Sequence, residues 1–202
     1  MTINRLLLKV KTWSFMGNGY KRAEWARKKG LFAEIGENVK LPVRIPLYPK
    51  LVKIHNNVVI HRSVKMVTHD FMNKFLMKIP GAYPYKHLEI LTPIEIMDNV
   101  YIGMNTVIFG NVRIGPNAII QAGSLVINDV PPNSVVAGVP ARVVGRMDML
   151  MKTRALMDKS INYGFERSGK ETIDDAAIEN AWALFDKKKN RVRNHTEPVQ
   201  KG

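Results

Sequence analysis

Five histidines and no cysteine limit the chemistry open to this 202-residue chain. The lack of cysteine excludes disulfides, thiolate metal sites and a cysteine nucleophile, and it fits a reducing cytoplasm. Histidine has a pKa close to neutral pH, so each histidine is a candidate general base. His55, His61 and His195 can equally be surface or packing residues. His69 is followed by Asp70, which could orient the imidazole, although adjacent residues on an extended chain point apart.

Aliphatic residues recur every six positions in the middle of the chain, and this period fits neither an α-helix nor a flat strand. A loose series comprises Ile35, Leu41, Leu47 and, after a slip of one residue, Ile54, Ile60 and Met66. A strict series comprises Ile96, Ile102, Ile108, Ile114, Ile120 and Val126. Four residues after each member of the strict series stands a small or β-branched residue, namely Val100, Thr106, Val112, Ala118, Ser124 and Val130. Asparagine recurs just before the small position, at Asn99, Asn105, Asn111 and Asn117.

A chain coiled around a triangular prism explains this pattern. Each six-residue unit forms one flat side, with its large aliphatic residue inside and its small residue near the corner. Asparagine and glycine tolerate the left-handed backbone that a tight corner demands. Three units complete a coil, and successive coils stack at about 4.8 Å as in any solenoid. The alternative is a β-sandwich with chance spacing, which the six consecutive in-register positions disfavour.

The repeats are interrupted once, over residues 70–93. An insertion of this length between two coils must protrude from the prism, and such loops are usually functional or disordered. The insertion contains several aromatic residues, which predicts that it packs against another surface, such as that of a neighbouring subunit.

Three regions follow along the chain: a basic helical segment over 1–30, a repeat domain over 31–146, and a helical region with a basic tail over 147–202. We expect helical structure over 3–29, with a break at residues 17–19 and a second short helix over 20–29 that ends at Gly30. Further helices are expected over 147–160 and over 172–188, with a disordered tail from 190. The net charge is +14, and residues 1–30 carry eight Lys or Arg against one Glu. No nucleic-acid module accompanies this charge, so nucleic acid is not an expected partner. The sequence shows no signal-peptide core and no apolar run long enough to span a membrane.

Residues 93–146 resemble a known family. They read PIEIMDNVYIGMNTVIFGNVRIGPNAIIQAGSLVINDVPPNSVVAGVPARVVGR. The VYIG after a PI opening, the QAGS one coil later and the long DVPPNSVVAGVPAR segment are similar to the hexapeptide-repeat acyltransferases. The likeness is greatest to the galactoside, maltose and polysaccharide O-acetyltransferase branch, and it covers about residues 35–146. It implies a mainly β fold, a left-handed parallel β-helix with a protruding loop, flanked here by N-terminal and C-terminal α-helices.

The resemblance also implies an activity. Members of this family transfer an acetyl group from acetyl-CoA to a hydroxyl or an amine, without a metal or a covalent intermediate. Their general base ends a coil just before a protruding loop, which is the position of His69 in MVTHD. It would take the proton from the acceptor as the acceptor attacks the thioester, while N–H groups or a polar side chain stabilise the developing oxyanion.

The cofactor residues that the resemblance implies lie in a groove between two prisms, so a homotrimer with intersubunit sites is the expected assembly. Ala122 and Gly123 match backbone contacts to the pantetheine arm, Tyr101 stands where relatives carry tryptophan, and Met104 matches a serine contact. Ile127 and Asn128 match a Thr-Lys pair near the nucleotide, Arg142 matches a phosphate- or adenine-binding arginine, and Arg146 lies one step from a second.

The expected acceptor is a sugar hydroxyl, more specifically one on a cell-surface polysaccharide or glycan precursor. The insertion would select it through Phe71, Tyr83, Tyr85 and His87. We expect the protein in the cytoplasm, at the inner face of the membrane, where Lys9, Lys11, Lys21, Arg22 and residues 27–29 would hold it near an anionic glycan, glycolipid or membrane. The alternatives are acetylation of an antibiotic, of serine or of an amino sugar, and a non-catalytic solenoid that binds or scaffolds.

Overall fold

A computed structural model describes residues 17–160 and 175–196, with side chains described for residues 17–157 and 175–187. The chain forms two compact units, Met1–Leu150 and Met151–Gly202. The part of the predicted N-terminal helix before residue 17, including Lys9 and Lys11, lies outside the described residues, as does the end of the chain from residue 197.

The first unit consists mainly of very short strands. They are β1 (Glu34–Ile35), β2 (Val52–Ile54), β3 (Val58–Ile60), β4 (Lys65–Val67), β5 (His69–Asp70), β6 (Ile90–Leu91), β7 (Ile94–Ile96), β8 (Val100–Ile102), β9 (Val107–Phe109), β10 (Val112–Ile114), β11 (Ala118–Ile120), β12 (Leu125–Val126), β13 (Ser134–Gly138) and β14 (Ala141–Arg146). The helices of the described residues are α1 (Gly19–Lys28), α2 (Met72–Leu76), α3 (Met147–Ser160) and α4 (Asp175–Thr196), and a 3₁₀ turn covers Pro49–Leu51.

Parallel pairing arranges these strands into three walls. The first wall has the order β1-β2-β7-β10, the second β14-β13-β11-β8-β3 and the third β12-β9-β4. The chain passes from first to second to third wall in each coil, and each strand pairs in register with the strand one coil away. Within these three walls, the pair β13 with β14 at the end of the second wall is antiparallel. The predicted three-sided coil is therefore confirmed.

Inward aliphatic side chains form one column for each wall. The registers place Ile54, Ile96 and Ile114 in the first column, Ile60, Ile102 and Ile120 in the second, and Met66, Ile108 and Val126 in the third. None of these side chains is more than 7% exposed. Each buried isoleucine contributes roughly 1.5–3 kcal/mol relative to an exposed one. The predicted small positions, such as Thr106 and Ala118, are buried as well.

Asparagines form the corners. All four predicted corner asparagines have a positive φ, between 54° and 64°, and Asn38, Asn57 and Asn133 share this conformation. At the corner between the first and second walls the side-chain amides form a ladder. Nδ2 of Asn38, Asn57 and Asn99 each donates to Oδ1 of the asparagine in the next coil, ending at Asn117, over 2.8–2.9 Å.

Helix α1 packs on the first coil. Asn18 caps it by accepting hydrogen bonds from the N–H groups of Tyr20 and Lys21, and Gly30 follows its end with a φ of +57°. Arg22 is 2% exposed, and its Nη2 donates to the carbonyl of Leu41 at 3.2 Å. Burial, reinforced by the charge of Arg62, lowers the pKa of Arg22. The prediction that Arg22 contributes to an exposed basic surface is therefore wrong, because this residue faces the first coil.

Leu47 does not occupy the inward position predicted for it. It is 39% exposed, and residues 43–48 form no strand. This segment is flanked and interrupted by prolines, namely Pro42, Pro46 and Pro49. Proline has no backbone N–H and cannot donate a hydrogen bond to a strand ladder. The first coil consequently lacks a third-wall strand, and coils with a strand in all three walls start at β2.

In the second unit, α4 begins at Asp175 and continues to Thr196. The predicted tail from residue 190 is therefore helical as far as residue 196, because its Lys, Arg and Asn residues extend the helix without a proline or glycine to end it. The rings of Trp182 and Phe185 lie edge to face, with centroids 5.7 Å apart. Helix α3 spans the residues predicted for it. None of the described helices is both long enough and apolar enough to cross a bilayer.

The contribution of the asparagine ladder to the free energy of unfolding should be measurable. Asn99→Ala removes two ladder bonds and leaves alanine in a left-handed conformation, so we expect a loss of about 2–3 kcal/mol in the free energy of unfolding. Asn111 has the same positive φ but lies at another corner, so Asn111→Ala should cost about 1 kcal/mol.

Urea denaturation checks this, with Asn99→Gly as a further variant that loses the ladder bonds without backbone strain. Equal losses for Asn99→Ala and Asn111→Ala would show that the ladder adds no stability.

Candidate functional site

His69 lies where the insertion leaves the third wall. It follows β4 and begins β5, which pairs antiparallel with β6 so that His69 faces Leu91. The side chain is half-buried between two aromatic rings. Tyr48 presents its ring at 81° with centroids 5.3 Å apart, and Phe71 stacks at 26° with centroids 6.0 Å apart. Among the described residues, His69 Nδ1 is buried and has no hydrogen-bond partner.

Two neighbours of His69 were not predicted from the sequence. Tyr48 lies 21 residues before His69 in the chain, just ahead of the 3₁₀ turn over Pro49–Leu51. Nothing in its local sequence links it to a histidine. Thr68 is fully buried, and its backbone carbonyl accepts a hydrogen bond from the N–H of Thr92 at 3.0 Å. This bond joins the two ends of the insertion at the base of the site.

Asp70 turns toward its own segment. Its Oδ1 accepts a hydrogen bond from the backbone N–H of Met72 at 2.7 Å, where α2 begins. The carboxylate therefore supports the start of that helix. An orienting role for Asp70 on the His69 imidazole stays a prediction.

The insertion carries the four residues predicted to bind an acceptor. Phe71 stacks on His69 and is 62% exposed, and Tyr83 is 81% exposed. Tyr85 is half-buried and His87 is exposed. Asn73, which the sequence reading missed, closes the insertion by donating from Nδ2 to the carbonyl of His87 at 2.8 Å. The structure thus brings Phe71 directly to His69, and Asn73 ties the distal part of the insertion back to α2.

The predicted cofactor residues fall into two groups. The first group lies at the corner between the second and third walls, where Met104, Ala122 and Gly123 come together. The N–H of Gly123 donates to the carbonyl of Met104 at 2.8 Å. Gly103 has no room for a side chain, because a Cβ would lie 2.5 Å from the Ala122 nitrogen. Tyr101 lies close by on the outer face of the second wall and is 45% exposed.

The second group lies at the C-terminal end of the prism. A cleft of about 300 Å³ is lined by Ile127, Asn128 and Arg142 together with inward residues of the last coil, Val126, Val130 and Val136. This cleft lies two coils beyond His69 along the third wall, since β4, β9 and β12 stack in that order. Two strand spacings separate the cleft from the level of His69 by roughly 10 Å along the prism axis.

Arg146 does not line this cleft and is engaged elsewhere. Its Nε and Nη2 donate to the two carboxylate oxygens of Asp148, at 3.0 and 2.6 Å. The same hydrogen bonds hold the pKa of Asp148 well below its usual range and raise the pKa of Arg146. This two-pronged ion pair competes with the predicted role of Arg146 in cofactor binding.

A larger concavity of about 510 Å³ lies on the outer face of the first wall. Its strands carry charges of alternating sign, with Lys53 opposite Glu95 and Glu95 opposite Arg113. Hydrogen bonds from Arg113, at 2.7 Å, and from His55 lower the pKa of Glu95. These charges compensate one another across the wall. Among the described residues, no group of three His, Asp or Glu side chains is placed to hold a metal ion.

The repeat region is similar in sequence to known proteins. Residues 93–128 match the model of the bacterial transferase hexapeptide family (six repeats). The matched residues lie within the strict part of the repeat, from β7 to the end of β12. The predicted resemblance is thereby confirmed for this part of the chain.

Several curated acetyltransferases align with it. Galactoside O-acetyltransferase of Escherichia coli K12 is 38% identical over 116 residues, which cover 57% of this chain and 49% of that protein. The 2,3,4,5-tetrahydropyridine-2,6-dicarboxylate N-acetyltransferase of Alkaliphilus metalliredigens is 43% identical over 70 residues, covering 35% of this chain and 30% of that protein. The chain thus spans half or less of the length of these relatives.

A solved structure shares the fold. The hexapeptide-repeat acetyltransferase VCA0836 of Vibrio cholerae has a TM-score of 0.50 at 23% identity, over 67% of this chain and 86% of that chain. A galactoside acetyltransferase solved in complex with coenzyme A has a TM-score of 0.48 at 28% identity, over 73% of this chain and 82% of that chain. The expected left-handed parallel β-helix is confirmed.

The ion pair of Arg146 can be tested by titration. We expect Arg146→Gln to raise the pKa of Asp148 toward the ordinary value of about 3.9, measured by NMR of the carboxyl carbon. Because the folded-state pKa of Asp148 lies below the unfolded value, the pair stabilises the fold above the unfolded pKa and loses this effect as pH falls through the folded pKa.

Arg142→Gln is the matched control and should leave the Asp148 titration unchanged. An unshifted Asp148 pKa in Arg146→Gln would assign the low value to the backbone hydrogen bond from Met149 instead.

Proposed function

We propose that this protein is an acetyl-CoA-dependent O-acetyltransferase in which His69 is the general base. The observation that carries this proposal is the placement of His69, half-buried between aromatic rings at the exit of the insertion and two coils above the cleft that contains Arg142. The relatives named as acetyltransferases support the reaction class.

The orientation of His69 favours one ring nitrogen for catalysis. Nδ1 faces the packed side of the ring, so Nε2 is the nitrogen available to a substrate. Nε2 would take the proton from the acceptor hydroxyl as its oxygen attacks the thioester carbon. The carbon–sulfur bond then breaks, and the imidazolium returns the proton to the departing thiolate. The products are an acetyl ester and the free thiol of coenzyme A.

The donor would lie between the end of the prism and His69. Arg142 and Asn128 would contact the nucleotide end, and the exposed backbone near Ala122 and Gly123 would contact the pantetheine arm. Because the two groups lie at different places on one prism, a neighbouring prism would complete the groove.

The outer face of the third wall supports assembly of a homotrimer. Phe109 and Ile127 are each 45% exposed on this face, and the strand register aligns Phe109 with Val67 of β4. Exposed apolar patches of this kind mark interaction sites, and a second copy of the chain is the proposed partner.

A sugar hydroxyl, on a cell-surface polysaccharide or glycan precursor, is the proposed acceptor. The exposed Phe71 and Tyr83 offer flat apolar surfaces beside the base, suited to the apolar face of a sugar ring. We further propose that the protein works in the cytoplasm at the inner face of the membrane. Lys21, Arg27, Lys28 and Lys29 are exposed on and after α1, and they would attract an anionic glycan, glycolipid or membrane surface.

Removing the base should abolish most of the turnover. We expect His69→Ala to lower kcat by about 10²–10⁴-fold, the usual contribution of general-base catalysis, with little change in KM for acetyl-CoA. Thiol release from acetyl-CoA, followed with a panel of sugars, amino sugars, serine and antibiotics, measures both the rate and the acceptor class.

His55→Ala is the matched control, because His55 bonds Glu95 of the first wall. Thiol release that is equal in His69→Ala and the unmodified protein, with no acceptor preference, would favour a non-catalytic binding solenoid. A preference for amines or antibiotics would replace the sugar as acceptor.

The cleft at the end of the prism should bind the charged end of the donor. Losing one charged hydrogen bond typically costs about 1.5–3 kcal/mol, so we expect Arg142→Ala to raise KM for acetyl-CoA about 10- to 100-fold with kcat largely retained. Arg44→Ala, at an exposed arginine outside the cleft, is the control. An unchanged KM in Arg142→Ala would remove this cleft from the donor site.

A further inference from the structure

The His69 imidazole lacks the hydrogen bond that commonly fixes a catalytic histidine. The usual device is a carbonyl or carboxylate that accepts from one ring nitrogen and thereby sets both the tautomer and the ring orientation. Within the part of the chain that the structure describes, His69 Nδ1 is buried without such a partner. The adjacent Asp70 carboxylate is engaged with the N–H of Met72. Packing must therefore hold this ring.

Tyr48 supplies packing from the rigid part of the molecule. Its ring meets the His69 ring at 81°, with centroids 5.3 Å apart, which is the edge-to-face arrangement that aromatic pairs prefer. The following Pro49 restricts the backbone of Tyr48. The Tyr48 carbonyl also accepts from the N–H of Leu51 at 3.0 Å, in the 3₁₀ turn that leads directly into β2.

Phe71 covers the other side of the ring from a different kind of segment. It stacks on His69 at 26° but is itself 62% exposed, and it begins the protruding insertion. The two aromatic contacts are therefore unequal. Tyr48 is attached to the β-helix framework, whereas Phe71 presents most of its surface to solvent and to an incoming acceptor.

We propose that Tyr48 is a positioning residue for the general base: its ring holds the His69 imidazole with Nδ1 inward and Nε2 toward the substrate. The inference rests on the proposed function of His69, which assigns the reaction, but the orientation itself is a property of the free protein. An edge-to-face aromatic contact shifts a rotamer equilibrium by about two- to tenfold, and the packing lost with the whole ring adds to this.

The experiment compares Tyr48→Ala and Tyr48→Phe in the full chain. Tyr20→Ala is the matched control, because Tyr20 is 43% exposed on α1, away from the site. Histidine imidazole NMR on the protein without substrate reports the orientation of the ring, and His69→Ala assigns the signal. Initial rates give kcat and KM for acetyl-CoA, and thermal unfolding reports the fold.

We expect Tyr48→Ala to broaden or shift the His69 signal and to lower kcat at least fivefold, with KM for acetyl-CoA and the unfolding temperature close to those of the unmodified protein. Tyr48→Phe keeps the ring and should restore both the signal and the rate to within about twofold. Tyr20→Ala should change neither.

An unchanged His69 signal and kcat in Tyr48→Ala would overturn the proposal, as would a Tyr48→Phe variant that behaves like Tyr48→Ala, since the ring would then not be the effective group. A rise in KM alone would make Tyr48 a binding residue and would equally overturn it. These outcomes differ from failure of the proposed function, in which His69→Ala itself leaves kcat unchanged while the NMR effect of Tyr48→Ala persists.

Discussion

Side-chain stacking inside the prism is the interaction on which the rest of the structure depends. Strands of two or three residues cannot be stable alone, because each buries too little apolar surface. In register, however, every inward isoleucine packs on the residue one coil above and one coil below, as Ile102 does between Ile60 and Ile120. The resulting columns make the prism rigid, and this rigidity gives the corners fixed positions along the axis.

The corners are a second constraint, and they decide where chemistry can occur. A left-handed residue suits such a sharp turn, and asparagine supplies it at corners such as Asn99, where its amide also bonds the next coil. The insertion departs from the prism at one corner. Residues 70–93 leave it after the third wall, where the bond between Thr92 and Thr68 closes the gap. His69 lies at that exit, so the protruding insertion and the β-helix framework meet at one imidazole.

Charges are placed according to the same geometry. On the first wall, cross-strand neighbours such as Lys53, Glu95 and Arg113 alternate in sign, which stabilises the face without leaving a strong net charge on it. Arg142 lines the cleft at the end of the prism, whereas Arg146, four residues later, is held by Asp148. Two arginines of similar sequence context therefore have different capacities to meet an anionic ligand.

The six-residue period by itself determined the prism, its inward positions from Ile54 onward and its asparagine corners, because each repeat position has one environment that suits its side chain. It failed at Leu47, where three prolines prevent the strand that would have turned this residue inward, and at Arg22, whose burial depends on the helix packing on the first coil. The position of His69 followed from likeness to a family. Only the tertiary structure decided what surrounds His69, since Tyr48 approaches from 21 residues away and Asp70 turns to its own helix. Contacts between distant segments depend on how coils and insertions pack, and no local pattern encodes that packing.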